Sequence, residues 1–276
     1  MKYSPKEMSS FLNENSFNFK KKFGQNFIID ENIIENTLNL INLDKDTLVI
    51  EVGPGAGSLT YKLASRAKKV ICYEIDTTLK EILSTNLHDF DNVDIIYEDF
   101  LKRDVLKDLA NEDYKKLYVV ANLPYYITTP IIEKFISDKI PVDKIVIMVQ
   151  KEVGDRFKAV PKTKSYGSLT IYLNYYFDIK KLMNVSRNVF LPKPNVDSVI
   201  MEFSKKNTKY FVKDENLFFE LIRKAFSQKR KTLRNNLKDY DLEKIEKVLN
   251  KYSFSLMTRA EELPIDVFVD IANELS

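Results

Sequence analysis

Cysteine and histidine are almost absent from this sequence, with one residue of each among 276. A single cysteine excludes an intramolecular disulfide, which is typical of proteins in a reducing compartment. One histidine and one cysteine also exclude the common His/Cys zinc sites, so no metal is expected. Cys72 lies in an apolar segment and His88 in a polar one. We therefore expect Cys72 to be a core residue and His88 a surface residue, and we expect no catalysis by a Cys–His pair.

Long apolar runs are also lacking. No segment approaches the roughly 18 apolar residues that a membrane-spanning helix needs, and the first ten residues hold no signal-peptide core. Basic and acidic residues nearly balance, 43 against 40, for a formal charge of +3. Such a charge is compatible with nucleic-acid binding only where cations cluster locally. We expect a cytoplasmic monomer without membrane contact.

The first two-thirds of the chain alternates short apolar segments with helical patterns. The segments expected to form strands are Thr47–Gly53, Val70–Glu74, Val93–Tyr97, Leu117–Val120 and Lys144–Val149. Helical patterns follow the first two of them, over Ser58–Lys69 and Thr77–Thr85. Short apolar strands separated by helices predict an α/β fold with a mostly parallel sheet covered on both faces. Asp30 is a suitable N-cap for a further helix before the first strand.

The pattern changes near residue 170. Leu169–Phe177 and Val199–Phe203 have the composition of strands without a long helix between them. They predict an antiparallel pair at the edge of the sheet.

From about Lys205 onward the apolar spacing is helical, as in Leu242–Leu249 and Pro264–Leu275. We therefore predict a first domain over residues 1–205 and a small all-helical domain over residues 206–276.

Three of the six glycines fall in EVGPGAGS, at Gly53, Gly55 and Gly57, directly after the first predicted strand. Glycines there let backbone N–H groups approach a ligand at a helix N-terminus. Glu74 and Asp99 follow the next two predicted strands, at the edge where open parallel sheets bind ligands. A carboxylate at Glu74 suits ribose hydroxyls and one at Asp99 an exocyclic amine, which indicates a nucleoside ligand. The G-x-G-x-G spacing favours S-adenosylmethionine over NAD, whose fingerprint is G-x-G-x-x-G.

The fourth predicted strand is followed by NLPYY, from Asn122 to Tyr126. An amino nitrogen on a base becomes nucleophilic when acceptors hold its N–H groups and turn its lone pair outward. The side-chain carbonyl of Asn122 and a main-chain carbonyl at the Leu123–Pro124 bend supply such acceptors. Tyr125 would stack on the base, which must have left its helix. The motif predicts methyl transfer to an adenine, with Asn122, Leu123, Pro124 and Tyr125 as catalytic residues.

Motifs from about Lys20 to Leu237 resemble the ribosomal RNA adenine N6,N6-dimethyltransferase family. They are KKFGQNFIID, EVGPGAGSLT, YEID, EDF, NLPYYITTP, KSYGSL, FLPKPNVDSV and SQKRKTLRNNL. In combination they are most similar to its small-subunit (kasugamycin-sensitivity) branch. The resemblance implies a Rossmann-like class I methyltransferase sheet, and dimethylation of N6 on two adjacent adenosines in the 3'-terminal hairpin loop of small-subunit (16S) rRNA, during small-subunit biogenesis.

The resemblance also implies S-adenosyl-L-methionine as methyl donor and no metal. The residues implied at the cofactor or beside it are Asn26, Ile28, Gly53, Gly55, Glu74, Ile75, Asp99, Phe100 and Asn122. Ile28 stands where leucine is commoner in the family. FLPKPNVDS is either an edge-strand connector or part of the frame of the base pocket.

The expected partner is small-subunit rRNA, free or in a pre-assembled small ribosomal subunit. The cations that predict contact with RNA phosphates are Lys229, Arg230, Lys231 and Arg234. Binding through them should weaken as salt rises. Lys20–Lys22 form a second cluster, for which a solvated face is an equal alternative.

Three alternatives remain. The first is the large-subunit (23S) rRNA methyltransferase branch, which shares the acceptor motif. The second is a non-catalytic nucleic-acid-binding assembly or transcription factor on the same fold, which would not need to bind S-adenosylmethionine. The third is an NAD oxidoreductase, which leaves NLPYY unexplained.

Overall fold

A computed structural model of the protein describes residues 27–28, 30–123, 127–206 and 210–276. Contacts divide the chain into two compact units. The first runs to Gly154 and resumes over Lys180–Ser204, and the second consists of Asp155–Ile179 and Lys205–Ser276. The domain boundary at residue 205 stays a prediction, and the contacts group Asp155–Ile179 with Lys205–Ser276.

Seven strands of the described residues form one sheet, and two short strands form a separate ladder. In chain order the strands are β1 Phe27–Ile28, β2 Thr47–Val52, β3 Lys69–Tyr73, β4 Val93–Ile96, β5 Lys116–Asn122, β6 Lys144–Gln150, β7 Phe177–Val185, β8 Phe190–Leu191 and β9 Ser198–Lys205. The sheet order is β4-β3-β2-β5-β6-β9-β7. The pairs among β2 to β6 are parallel, and β9 lies antiparallel to β6. The predicted fold class, a mostly parallel sheet with an antiparallel edge, is confirmed.

The α-helices of the described residues are listed here in chain order. They are α1 Glu31–Leu40, α2 Ser58–Arg66, α3 Lys80–Leu87, α4 Val105–Leu109, α5 Thr128–Ser137, α6 Lys151–Phe157, α7 Ser168–Tyr176, α8 Glu215–Ala225, α9 Leu233–Asn236, α10 Leu242–Lys251 and α11 Ile265–Leu275. None of them is both long enough and apolar enough to cross a membrane.

The first unit has its core on the central strands. All six residues of β2 are buried, as expected for a parallel strand covered on both faces. Ile34 and Leu38 of α1 and Leu63 of α2 pack with strand residues in one apolar cluster. The predicted cap is confirmed, because the Asp30 carboxylate accepts a hydrogen bond from Asn32 N at 2.9 Å. Cys72 is buried and His88 exposed, as predicted.

The prediction of a strand at Leu169–Phe177 is wrong, because this segment forms helix α7. The alternation of apolar residues in this segment is typical of a strand. The polar side chains between them, Thr170 and Asn174, however, have hydrogen-bond partners inside the second unit. Thr170 Oγ1 donates to Arg156 O at 2.9 Å, and Asn174 Nδ2 donates to Thr170 O at 2.7 Å. A helix buried on most sides loses the periodicity that distinguishes it from a strand. The antiparallel strand beyond β6 is β9, with β7 next to it.

The second unit is built from helices around an apolar cluster. Phe218, Leu221 and Ile222 of α8 pack there with residues of α7, α10 and α11. Asp214 and Asp241 cap the N-termini of α8 and α10, because their carboxylates accept hydrogen bonds from backbone N–H groups in the first turn of each helix. Apart from α7, this is the helical composition that the sequence predicts after Lys205.

The close approach of α6 to β9 gives a first prediction. A Cβ at Gly154 would overlap Val199 Cγ2, whereas a Cβ at Gly167 would meet no atom within 4 Å. Overpacking of this kind costs about 1–3 kcal/mol, more than the ~1 kcal/mol of helix propensity that alanine gains. We expect Gly154→Ala to lower the free energy of unfolding of the first unit by about 1–2 kcal/mol.

Cys72 is the only thiol of the chain. The urea dependence of its labelling by a thiol reagent measures the unfolding of the first unit. Gly167→Ala is the matched control, and we expect it to change the free energy by less than about 1 kcal/mol. Equal labelling of the Gly154→Ala and wild-type proteins would contradict the packing argument.

Candidate active site

The carboxyl ends of the parallel strands meet at one edge of the sheet. Hydrogen bonds continue the ladder beyond the strands, from Gly53 N to Tyr73 O at 2.9 Å and from Glu74 N to Ile96 O at 3.0 Å. Asn122 is the last residue of the neighbouring strand β5. The glycine loop, Glu74 and Asn122 thus follow adjacent strands in space, although they are far apart in the chain.

The glycine loop has a backbone that other residues adopt only with strain. Gly53, Gly55 and Gly57 have φ angles of 72°, 58° and 85°. At Gly53 an added Cβ would meet nothing within 4 Å, so the positive φ angle alone requires glycine there. Gly57 is the N-cap of α2. The loop therefore delivers the chain to a helix N-terminus, the arrangement that favours anionic ligand groups.

Glu74 is a buried carboxylate that joins the loop to the end of β3. It is 4% exposed. Its Oε2 accepts from Gly55 N at 3.2 Å and its Oε1 from Asp76 N at 2.8 Å. Burial raises the pKa of Glu74, while the two backbone donors oppose that increase. Each oxygen keeps a lone pair for a further donor such as a hydroxyl, and the next residue, Ile75, is 52% exposed and offers an apolar surface.

Asp99 and Phe100 begin a 3₁₀ turn, Phe100–Lys102, after β4. Asp99 Oδ1 accepts from Leu101 N at 3.0 Å, so this carboxylate caps the turn and is half-buried. The Phe100 ring is buried and packs on the rings of Tyr73 and Phe135. Any contact of Phe100 with a ligand would therefore come from its main chain.

The predicted acceptor residues are described only in part. Asn122 is half-buried and pairs with Met148 of β6, and the side chain of Leu123 is buried. Pro124 and Tyr125 lie outside the described residues, as does Asn26. Ile28 is buried, and β1 pairs with β8, which places Phe27–Ile28 beside Phe190–Leu191.

Sequence reasoning missed a second buried acid beneath this edge. Glu51 of β2 is 1% exposed, and Cys72 Sγ donates to its Oε2 at 3.7 Å. Burial raises its pKa to about 8, and the nearby Glu74 carboxylate adds to the increase. The available signal was the single charged residue in the apolar strand TLVIEV.

The cations predicted to face RNA lie together in the second unit. Lys229, Arg230 and Lys231 occupy the exposed turn between α8 and α9, and Arg234 is exposed on α9. Main-chain bonds from Leu233 N to Thr258 O and from Arg234 N to Leu256 O hold α9 in place. Lys229 Nζ donates to Lys164 O at 2.7 Å and lies 3.8 Å from Glu261, so its charge is partly balanced.

The groups at the strand ends fit a nucleoside whose tail carries an anionic group. They combine a glycine loop of positive φ, a buried carboxylate with free acceptor capacity and an exposed apolar residue beside it. Within the described part of the chain, no cluster of three His, Cys, Asp or Glu residues could hold a metal ion.

A family model described as ribosomal RNA adenine dimethylase matches residues 16–276. The chain is 43% identical to a protein of Oceanobacillus iheyensis, over 98% of this chain and 95% of the relative. It is 44% identical to one of Geobacillus kaustophilus, over 99% and 96%. Both relatives are named ribosomal RNA small subunit methyltransferase A.

Two solved structures share the fold. A dimethyladenosine transferase from Plasmodium falciparum has a TM-score of 0.74 and 26% identity, covering 89% of this chain and 95% of its own. The 23S rRNA methyltransferase ErmE has a TM-score of 0.70 and 23% identity, covering 90% and 99%, and this likeness concerns the fold alone.

The raised pKa of Glu51 gives a prediction about stability and pH. The folded protein keeps this proton up to about pH 8, whereas the unfolded chain releases it near the ordinary value of 4.5. The folded state therefore binds more protons between these values, and its stability falls as pH rises through that window. Glu51→Gln removes the slope, so we expect the variant to gain about 1 kcal/mol per pH unit relative to wild type.

Urea-dependent labelling of Cys72 at pH 5.5, 6.5 and 7.5 measures the difference, after correction for the reactivity of the unfolded thiol. Subtracting the variant from the wild type cancels the contributions of other titrating groups. Parallel stability profiles for the two proteins would show that Glu51 is ionised in the folded state.

Proposed function

The chain belongs to the ribosomal RNA adenine dimethylase family of S-adenosylmethionine-dependent methyltransferases, and we propose that it dimethylates N6 of two adjacent adenosines in small-subunit rRNA. In this proposal the adenosines lie in the 3'-terminal hairpin loop of the 16S rRNA and are modified during small-subunit biogenesis. One observation carries the choice of RNA. Two relatives 43% and 44% identical over nearly the whole chain are both named as small-subunit methyltransferases.

The cofactor residues proposed are those that surround the strand ends. Glu74 accepts hydrogen bonds from ribose hydroxyls, Asp99 receives the adenine amine, and the loop at Gly53 and Gly55 accommodates the amino-acid tail. Ile75 supports the adenine face, while Ile28, Phe100 and the neighbouring Asn26 complete the set. The bound cofactor supplies an electrophilic methyl group on a cationic sulfur. Support for this assignment is the buried Glu74 carboxylate, bonded to Gly55 N and Asp76 N with lone pairs to spare.

The acceptor base is oriented by the segment that follows β5. The Asn122 side-chain carbonyl and a main-chain carbonyl at Leu123–Pro124 accept hydrogen bonds from the N6 amino group and turn its lone pair outward. Tyr125 stacks on the extruded base, an interaction worth roughly 1–3 kcal/mol. The nitrogen loses its proton after methyl transfer, so the chain needs no strong general base there. Catalysis is then mainly positioning.

The RNA partner binds the cations of the second unit in this proposal. Lys229, Arg230, Lys231 and Arg234 contact phosphates, and shape recognition of a folded RNA is more plausible than reading of duplex base edges. We propose that the protein acts as a monomer in the cytoplasm on small-subunit rRNA, free or in a pre-assembled small subunit.

Methyl transfer to ribosomal subunits tests the proposal. Small subunits lacking the dimethyladenosines are incubated with methyl-labelled cofactor, and RNA mass spectrometry locates the label. We expect two adjacent dimethyladenosines, and a loss of about a hundredfold in rate with Asn122→Ala, comparable to removing other preorganised hydrogen-bonding groups. Asn39→Ala is the control, since it removes only a side-chain bond to Arg66 on α2.

Label in large-subunit RNA would instead assign the chain to the large-subunit branch. Cofactor binding without label in either subunit would mean that the substrate is wrong. Absence of cofactor binding would favour a non-catalytic nucleic-acid-binding protein.

The second unit's cations give a separate prediction for RNA affinity. In the triple variant Arg230→Ala/Lys231→Ala/Arg234→Ala we expect the slope of log affinity against log salt to fall by roughly two, because each lost phosphate contact removes about 0.7–0.9. The control is Lys238→Ala/Lys244→Ala/Lys251→Ala, which removes the same charge from exposed positions of the same unit. Filter binding to small-subunit RNA compares the two triple variants with wild type at salt concentrations from about 50 to about 300 mM, over which electrostatic binding weakens strongly. Equal slopes for both variants would remove this surface from the RNA interface.

A further inference from the structure

We propose that Arg103, Asp108 and Tyr73 are positioning residues for the nucleoside of the cofactor. They hold the turn that carries Asp99 against the strand end that carries Glu74. The inference rests on the proposed roles of Asp99 and Glu74. It adds Arg103 and Asp108, which no sequence motif marked, and it gives a role to Tyr73 of the YEID motif.

Arg103 binds two carboxylates that lie on opposite sides of the turn in the chain. Its Nε is 3.0 Å from Asp108 Oδ2 and its Nη2 is 2.7 Å from Asp108 Oδ1. Its Nη1 donates to both oxygens of Glu98, at 3.0 and 3.1 Å. Glu98 immediately precedes Asp99, so the guanidinium fixes the residue next to the carboxylate that is proposed to bind the adenine amine. The planar fork of arginine suits this two-sided arrangement, and a lysine ammonium does not reproduce it.

Asp108 links Arg103 to the end of strand β3. Its side chain is 9% exposed, and Tyr73 Oη donates to its Oδ2 at 2.8 Å. The Arg103 guanidinium lowers the pKa of Asp108, while burial and then Asp108 raise the pKa of Tyr73. The phenol therefore stays protonated as the donor and the carboxyl stays ionised as the acceptor. Tyr73 is the last residue of β3, directly before Glu74.

A second contact joins the same two segments from within the core. The Phe100 ring lies 5.2 Å from the Tyr73 ring and 5.2 Å from the Phe135 ring of α5. The turn is thus fixed at Glu98 by charge-assisted hydrogen bonds and at Phe100 by aromatic packing. Asp99 lies between these two points, and its distance from Glu74 is set by both.

Substitution of Arg103 tests whether a change in local geometry affects cofactor binding separately from any change in global stability. The Arg103 side chain is 33% exposed but that of Asp108 is 9% exposed, so Arg103→Lys, which keeps a cation beside Asp108 and loses only the planar fork, accompanies Arg103→Ala. Arg66 is a matched control, with 30% exposure and a comparable pairing to Glu35 and Asn39 of α1. Both alanine variants lose one arginine with two partners, but Arg66 pairs with residues of α1 instead of the Asp99 turn.

Calorimetric titration with S-adenosylmethionine is the primary measurement. We expect Arg103→Ala and Arg103→Lys to raise Kd at least about tenfold, consistent with the sensitivity of sites to small displacements. Arg66→Ala should stay within about twofold of wild type. On small-subunit RNA, the KM for the cofactor should rise with Kd in the Arg103 variants, while kcat at saturation and the KM for RNA stay unchanged.

Tyr73→Phe provides a milder change that removes only the phenolic donor. We expect a rise in Kd of about threefold. The double variant Tyr73→Phe/Arg103→Ala should bind no more weakly than Arg103→Ala, because both residues act through Asp108. If the Kd of the double variant instead rises by the product of the two single-variant factors, the residues act independently. That result would overturn the proposed chain of contacts.

Several outcomes would overturn the inference. One is a Kd for Arg103→Ala that matches Arg66→Ala, and another is a fall in kcat with unchanged affinity. Asp99→Asn and Glu74→Gln separate this inference from the proposed function. If those two weaken binding and Arg103→Ala does not, only the positioning role fails. If those two leave Kd unchanged, the nucleoside site and the positioning role fail together. The titration needs no RNA, so an error in the RNA substrate leaves this result intact.

Discussion

The hydrogen bonds that the Glu74 carboxylate accepts from Gly55 and Asp76 connect the parts of the candidate site at the carboxyl ends of the strands. A parallel sheet brings its strand ends to one edge, but it does not fix the loops that follow. At this edge one buried side chain joins the glycine loop to the next strand, and the loop can adopt its positive φ angles because glycine occupies those positions. Substitution of Glu74 would therefore affect the loop as well as any ligand contact.

Two acids are buried near each other at this edge, and burial raises the pKa of both. Glu74 accepts two backbone N–H bonds that favour its charge, whereas Glu51 has the Cys72 thiol as its contact and keeps its proton to about pH 8. Ionising both would place two like charges in a low-dielectric region, so a charge on Glu74 raises the pKa of Glu51. The cations of the second unit lie by contrast at exposed positions, where water hydrates them until phosphates replace it.

Much of the fold was predictable because the central strands are uniformly apolar and glycines and acids end them. The segment Leu169–Phe177 was not, since both faces of helix α7 are apolar or internally satisfied, and periodicity then does not distinguish helix from strand. The candidate site was predictable as motifs but not as a network. Glu98, Arg103 and Asp108 are five residues apart, a spacing that brings side chains together neither on a helix nor on a strand. Only the intervening 3₁₀ turn and α4 bring them together.

The order of strands in the sheet has a consequence for biosynthesis. Strands β2 to β6 come from one continuous stretch of chain, so the parallel part of the sheet can assemble while the polypeptide is still being made. Strand β9 lies between β6 and β7, although it is the last of the three to be synthesised. Until residues 198–205 have left the ribosome, β6 has an unpaired edge and β7 has no neighbour in the sheet. The carboxyl ends of strands β2 to β5, which hold the candidate site, are therefore synthesised before the sheet has all its strands. The ladder between β1 and β8 likewise forms only after residue 191 has been synthesised.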